Sequence, residues 1–375
     1  MQEGANLVEG KSMSEAAQED ATVQLPAATA QELVAEILAR EGVPRPDAEV
    51  TARCLVRADL RGVDTHGIVR LPGYVERIRR GLVDPAPALA PESVAPAAAR
   101  LDGGNGLGFV VATRAVAAAT ELAETQGTGL VGVHRSTHFG MAANYLLQAA
   151  EAGYASLVFT NASRAMPPWG GRARLLGTSP VGAGVPGPEG GVPFILDMSP
   201  SVAARGKIRK AAREGRPIPE GYALDADGRP TTDPEAALKG VVLPMGGPKG
   251  SGLSMLMDIL SGVLTGAGFA GGVGDQYKDF DRPQNVGHFV FVLRPDLFMD
   301  RAAFAGRMAE LVATVKDNPR AEGFDEILIA GEPEARLEAA RRADGIPYRR
   351  ADLAPLVALL RGHGVEPPAP LAFSS

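Results

Sequence analysis

The sequence predicts an α/β protein of the α+β kind, with a helical unit drawn from both chain ends around a mixed sheet unit formed by the middle. Three observations carry this. Helix-period apolar patterns dominate residues 29–81 and 300–362, short apolar strand-like runs fall between 130 and 293, and no segment repeats. With 375 residues, 45% of them hydrophobic, the chain can fill more than one core.

In order along the chain, Thr29–Arg40 reads as a helix with Val34, Ile37 and Leu38 on one face, and Thr29 with Glu32 forms a capping-box pattern. Gly42 and Pro44 end it. A second helix after Pro46 carries Val50, Cys54, Leu55 and Ala58 to a stop near Arg61-Gly62, and a third runs through Tyr74, Val75 and Ile78 to Gly81. Residues 84–98, rich in Pro and Ala, read as a linker. Gly108–Gln126 and Phe139–Ala152 are predicted helices, with strands at Leu130–Val133 and Ala155–Thr160. A long Gly/Pro loop covers 161–191, then a strand at Phe194–Met198 and a helix over Ser201–Glu214. Lys249–Leu264 reads as a helix with Leu253, Leu256, Met257, Leu260 and Leu264 on one side. A strand at His288–Leu293 and helices near 300–316, 334–343 and 351–362 close the chain. The expected division is a disordered tail (1–24), a helical domain (25–90 with 298–375) and an α/β domain (91–297).

Composition removes several function classes. A net charge of −6 and a pI near 5.5 argue against nucleic-acid binding, which needs a basic face. No apolar run approaches a membrane span, and the polar, acidic N-terminus lacks the features of a signal peptide. A single cysteine, Cys54, allows no disulfide within the chain, so a reducing cytoplasm is expected. Gly182-Ala183-Gly184-Val185-Pro186-Gly187 matches GxGxxG literally. That pattern cradles a pyrophosphate only where a helix follows, and Pro186, Pro188 and Gly190-Gly191 forbid one.

Three constellations could do chemistry. In Asp64–Tyr74, a helix would place His66, Arg70 and Tyr74 along one face beside Thr65, provided Gly67 and Pro72-Gly73 do not break it. An arginine can hold a carboxylate with two parallel hydrogen bonds, and a histidine can exchange a proton near neutral pH. A solvated surface helix is the plainer reading of the same spacing. The second constellation, His134 to Gly140, puts His138 between a strand end and a helix start. A zinc site shared by His134 and His138 lacks a nearby acid, and the pair is not assigned a metal. The third is the loop with Arg164, a second candidate anion ligand, and the lone Trp169. After it come Thr178-Ser179-Pro180 and the strand Leu196-Asp197-Met198-Ser199, whose acid could hold a ribose hydroxyl or cap a helix. Lys249-Gly250 supplies the candidate phosphate contact.

At these residues the sequence resembles the non-Rossmann malate/L-lactate dehydrogenase family, which includes ureidoglycolate and sulfolactate dehydrogenases, 2,3-diketogulonate reductase and the Δ1-piperideine-2-carboxylate reductases. The blocks carrying the resemblance are ADLRGVDTHGIVRLPGYVERIRRG (58–81), DGGNGLG (102–108), STHFG (136–140), PPWGG (167–171), LGTSPVGAGVP (176–186), LDMSPSVAARGKI (196–208), GRPTTDPEAALKGVVLPMGGPKGSGLSMLMDILSGVLTGA (228–267) and AGEPE (330–334). The resemblance implies a nicotinamide-binding domain with a mainly antiparallel mixed sheet, a helical domain from both termini, and a homodimer. It implies NAD or NADP as cofactor and a small carboxylate substrate. His66 and His138 match the family's acid/base histidines, and Thr65, Arg70 and Tyr74 its substrate contacts. Leu196, Asp197, Met198, Ser199, Lys249 and Gly250 match the cofactor region, with Gly331 and Glu332 as a weaker match. Thr65 stands where many members have Ser, and Arg164 where many have an apolar residue.

The expected reaction is hydride transfer between NAD(P)H and a 2-keto or 2-hydroxy acid. His66 is the favoured proton donor because Arg70 is near in sequence, and His138 polarises or relays. Reduction of a cyclic 2-imino acid is an alternative of the same chemistry. A non-catalytic dinucleotide-binding protein, or a zinc hydrolase, would be of another class.

Overall fold

The computed structural model describes residues 21–371. The first strand, β1 (Thr22–Leu25), is followed by helices α1 (Ala27–Arg40), α2 (Arg45–Leu60) and α3 (Leu71–Arg79). The sheet region contains β2 (Glu92–Ala95), β3 (Ala98–Asp102), α4 (Gly108–Gln126), β4 (Thr128–Ser136), α5 (Ala143–Glu151), β5 (Ala155–Thr160), β6 (Val181–Val185) and β7 (Phe194–Met198). A small unit follows: α6 (Arg205–Arg213), β8 (Ala223–Leu224), β9 (Pro230–Thr231), α7 (Pro234–Lys239) and β10 (Val241–Val242). The chain continues through α8 (Pro248–Asp258), a π-helical turn at Ile259–Val263, β11 (Val286–Leu293), α9 (Arg301–Lys316), α10 (Glu332–Asp344), β12 (Ile346–Arg349) and α11 (Arg350–Gly362).

The main sheet has seven strands in the order β2-β3-β4-β11-β5-β6-β7, and every adjacent pair is antiparallel except β3 with β4. This is a mixed, mostly antiparallel sheet, not the parallel doubly wound sheet of a Rossmann domain. Helices α4 and α5 supply one apolar layer: Val111, Ala115 and Val116 of α4 and Leu146 and Ala149 of α5 are buried in one cluster with Val131, Val133, Val158 and Val290 of the strands. A second cluster joins the chain ends, with Leu33, Ile37, Leu55, Leu71 and Tyr74 packing with Tyr348, Leu353, Val357 and Leu360. β1 and β12 pair antiparallel within it, Leu25 opposite Ile346. A third, small cluster of Ile208, Ile218, Ala223, Ala237 and Val242 holds the 205–242 unit together.

Several elements differ from the sequence reading, each for a physical reason. Residues 1–20 of the expected tail lie outside the described residues, and Thr22–Leu25 is a strand because its partner arrives from the far end of the chain. The capping box does not form: α1 starts at Ala27 behind Pro26, which puts Thr29 inside the first turn. The 84–98 linker contains β2, which pairs with β3. The 161–191 loop contains β6, so the GxGxxG match is mostly a strand inside the sheet. Its glycines admit α5: a Cβ at Gly184 would lie 2.9 Å from the Leu146 Cβ. The 201–214 helix is shortened to α6, and the 139–152 helix to α5. The apolar side of 249–264 does not all face inward. The buried residues of α8 are Gly250, Ser251, Ser254 and Met257, while Leu256 and Leu264 are exposed.

Candidate active site

A cleft of about 1630 Å³ opens between the two large cores. Its walls come from the 63–73 turn, the 138–143 segment, the loop after β5, the end of β7, the start of α6, the 273–278 loop and the 328–334 segment.

The 64–74 segment is not one helix. Two 3₁₀ turns, Asp64–His66 and Ile68–Arg70, are separated by Gly67 in an extended conformation, and α3 starts only at Leu71. Asp59, buried at the end of α2, explains the break. Its Oδ2 accepts the Ile68 N–H at 2.9 Å and the Tyr348 hydroxyl at 2.7 Å. Only glycine fits above it, because a Cβ at residue 67 would fall 1.6 Å from Asp59 Oδ1. Burial pushes the Asp59 carboxyl up to about 7, against the pull of the Ile68 N–H and the Tyr348 hydroxyl.

The turn carries His66 into the cleft, where its ring stacks on His138 with centroids 5.6 Å apart. His66 Nδ1 is 3.0 Å from the Thr65 hydroxyl. Burial, helped by the charge of Arg70, pushes His66 down to about 3. His138 is held well below the usual histidine range by burial, with Arg70, His66 and His288 adding to it. Both rings are therefore neutral at neutral pH.

Their tautomers differ in freedom. His138 Nδ1 lies 2.8 Å from the Tyr74 hydroxyl and accepts the Gly140 N–H at 3.3 Å. A backbone N–H can only donate, so Nδ1 of neutral His138 is bare and the ring proton sits on Nε2. His66 faces a hydroxyl on Nδ1, which donates or accepts as needed, so its Nε2 can hold or release a proton. The His138 segment is anchored from behind. Its N–H donates to Gln284 Oε1 at 3.3 Å, and buried His288 spans Thr160 and Ser136 hydroxyls at 2.8 Å each while stacking on Phe139 at 4.8 Å.

Arg70 lines the same cleft. Its Nε donates to the Thr65 carbonyl and its Nη1 to the Tyr277 hydroxyl at 2.5 Å, which orients the guanidinium and leaves N–H groups for an anion. Arg164 also lines the cleft, with Nε on the Gly271 carbonyl at 2.8 Å. Neither arginine has an ion pair among the described residues. Asp197 lies at the cleft floor, where protein surrounds its carboxyl although solvent still reaches it. Oδ2 accepts the Ala143 N–H at 2.8 Å, so it caps α5, and burial raises its pKa against that hydrogen bond.

Of the sequence-predicted residues, the cleft brings together Thr65, His66, Arg70, His138, Arg164, Thr178, Pro180, Leu196, Asp197, Ser199 and Gly331. The others stand elsewhere. Tyr74 is buried behind His138 and reaches the cleft only through that ring. Ser179 is fully buried between its two cleft-lining neighbours, and Met198 does not line the cleft. Lys249 is exposed outside the cleft. Gly250 serves packing, since a Cβ there would meet the Pro200 carbonyl at 2.6 Å. Glu332 closes its own helix start, accepting the Ile329 N–H at 2.9 Å and pairing with Lys316 at 2.8 Å. His134 sits 4.0 Å from Asp102, away from His138's partners, and does not line the cleft.

Sequence reasoning missed Tyr277, Gln284, Asp59 and a group of cleft arginines, Arg174, Arg205 and Arg209. Arg205 lies inside a block already noted, but nothing local marks Tyr277 or Arg174 as neighbours of the site.

Comparison with known proteins finds dehydrogenases that share this fold. L-sulfolactate dehydrogenase of Methanocaldococcus jannaschii is 39% identical over 315 residues, covering 83% of this chain and 89% of that protein. Its solved structure superposes with a TM-score of 0.87 at 36% identity, covering 92% of this chain and 98% of the other. A (2R)-3-sulfolactate dehydrogenase (NADP(+)) of Chromohalobacter salexigens is 41% identical, covering 72% of this chain and 81% of that protein. An Escherichia coli ureidoglycolate dehydrogenase (NAD(+)) is 33% identical, with 85% and 90% covered. The malate/L-lactate dehydrogenase family pattern matches residues 25–357, and with that span, the shared fold and these relatives, the chain belongs to the malate/L-lactate dehydrogenase family.

Proposed function

We propose that this protein is an NAD(P)-dependent dehydrogenase that interconverts a small 2-keto acid and its 2-hydroxy acid. The observation that carries the reading is the neutral histidine pair beside an oriented, unpaired Arg70 in one cleft. The cleft volume of about 1630 Å³ suits a dinucleotide together with a small acid. The donor set also fits a polyanionic dinucleotide beside a carboxylate, because Arg174, Arg205 and Arg209, without ion pairs among the described residues, line the cleft in addition to Arg70 and Arg164. Bound nicotinamide supplies a hydride in reduction and accepts one in oxidation.

The chain's own residues do the rest. Arg70, joined by Arg164, pins the substrate carboxylate and so fixes the reacting carbon. His138 presents Nε2–H to the carbonyl oxygen and polarises it, its tautomer held by Gly140 and Tyr74. His66 exchanges the proton. Neutral, with Thr65 donating to Nδ1, it holds the Nε2–H form. With Thr65 accepting from Nδ1–H, Nε2 is a free base for the hydroxy acid. Burial first and the Arg70 charge second depress His66, and the substrate carboxylate offsets only the second, so in reduction a proton from solvent replaces the one that Nε2 gives to the alkoxide without the ring resting charged.

The test is a panel of 2-keto acids and cyclic 2-imino acids with NADH and NADPH, following nicotinamide absorbance. Turnover of a keto acid that falls by about 10²–10⁴ in His66→Gln is the expected result. No turnover on any member would refute the reading, and turnover of imines alone would replace the substrate class. We also propose that the chain works as a homodimer in the cytoplasm. The apolar residues Met255, Leu256, Ile259, Val263 and Leu264 are exposed along α8 and its π turn, as a subunit contact would require.

A further inference from the structure

Arg174, Arg205 and Arg209 line the same cleft and form one group. Arg174 donates to the Gly240 carbonyl at 2.6 Å, and Arg205 donates to the Leu238 carbonyl, so both guanidinium groups are tethered at the end of α7. Arg205 is also the first residue of α6, where the helix dipole is positive. Arg209 stands one turn on, exposed to the cleft opening. None of the three has an ion pair among the described residues, in a chain whose net charge is −6. Two of these like charges are held on carbonyls and the third stands beside them, and without a carboxylate an anion stabilises the arrangement. The Arg205 pKa is lowered by burial first and by Arg174 and Arg209 next, which is the same repulsion seen from the proton's side.

We propose that this arginine group is a phosphomonoester site that receives the 2′-phosphate of NADP(H) and makes the chain prefer it over NAD(H). The proposal rests on the reading of the cleft as a dinucleotide site. A protein that selects the unphosphorylated ribose places an acid against the 2′-hydroxyl, which also repels a phosphate there, whereas arginine accommodates the phosphate. The acids that line this cleft are Asp197, Asp275 and Glu334, and Asp197 is committed to the start of α5. No acid is among the groups that perturb Arg205. The exposed Lys249 outside the cleft has no such setting.

The test uses the full chain and calorimetric binding of adenosine 2′,5′-bisphosphate and adenosine 5′-monophosphate, with fluorescence titration of NADPH and NADH beside it. Each 2′-phosphorylated ligand should bind at least about tenfold more tightly than its counterpart, the effect of one charge-assisted hydrogen bond or more. Arg209→Glu, at an exposed position, should erase that difference by weakening NADPH at least about tenfold more than NADH. Equal binding of the paired ligands, or no change in the difference in Arg209→Glu, would overturn the proposal. So would an equal loss for NADH and NADPH, which would assign the arginines to the pyrophosphate. Failure of both dinucleotides to bind would instead overturn the dinucleotide reading itself, and this proposal with it.

Discussion

The Tyr74 hydroxyl and His138 Nδ1 lie 2.8 Å apart, and the Gly140 N–H meets the same nitrogen at 3.3 Å. Tyr74 is buried, so its hydroxyl works on the ring and not on a ligand. The relationship divides the labour between the two histidines. His138→Gln keeps an N–H donor near the carbonyl oxygen and should lower kcat about 10- to 100-fold, less than His66→Gln. Tyr74→Phe should lower kcat by about tenfold, one hydrogen bond's worth, with KM little changed. Steady-state kinetics of the three variants check this, and a larger loss in His138→Gln than in His66→Gln would exchange the two roles.

Arg70 is oriented by the Thr65 carbonyl and the Tyr277 hydroxyl. Arg70→Lys keeps the charge but loses the fork, so KM for the keto acid should rise about 10- to 100-fold. Dinucleotide affinity, read by fluorescence titration, should stay within about twofold. Equal weakening of both ligands would remove Arg70 from the carboxylate.

Asp59 makes stability depend on pH in an unusual direction. Burial raises its carboxyl to about 7 in the folded protein, while Asp64 raises it further and Arg341 lowers it. In the unfolded chain it titrates near ~3.9. The folded state therefore holds more protons between these values, and this contribution is full below ~4, declines as pH rises through about 7 and is level above. His66 and His288, both lowered to about 3, give the opposite slope below ~6.5, so the variant must be compared with wild type at each pH. The melting temperature of wild type minus that of Asp59→Asn should fall as pH rises from about 4.5 to about 7.5. A difference independent of pH would show that Asp59 is ionised throughout.

The exposed face of α8 offers a test of assembly. Leu256 and Val263 are 44% and 54% exposed, on a stretch whose inner side is packed with small residues. If they meet a second copy, the double change Leu256→Asp with Val263→Asp places charges in an apolar contact and should shift sedimentation from dimer to monomer. Wild-type protein sedimenting as a monomer would sink the dimer outright.

Periodicity, a local signal, made the helical ends and the central strands readable, whereas the cluster of His66, Arg70 and His138 was readable only through the family resemblance that the ordered motifs carry. It could not show which side of a helix faces a neighbour. Of the apolar stripe expected over 249–264 only Met257 is buried, and Gly250, Ser251 and Ser254 fill the rest of the inner side of α8, where Ser254 donates to the Gly177 carbonyl at 2.8 Å. Nor could it place β11 between β4 and β5, or join β1 to β12, since those pairings depend on distant chain. The 64–74 break needed Asp59 beneath Gly67, and the spacing rule alone treats glycine there as a weak helix residue rather than as the only one that fits.

The antiparallel pairing of Thr22–Leu25 with Ile346–Arg349 has a consequence for biosynthesis. At ~5–20 residues per second, the first strand leaves the ribosome tens of seconds before its partner is made. The sheet layer can consolidate meanwhile, but the terminal helices must wait with apolar faces uncovered. That interval is when a chaperone would be needed most, and a premature stop ahead of residue 346 would leave the nascent amino end permanently unzipped.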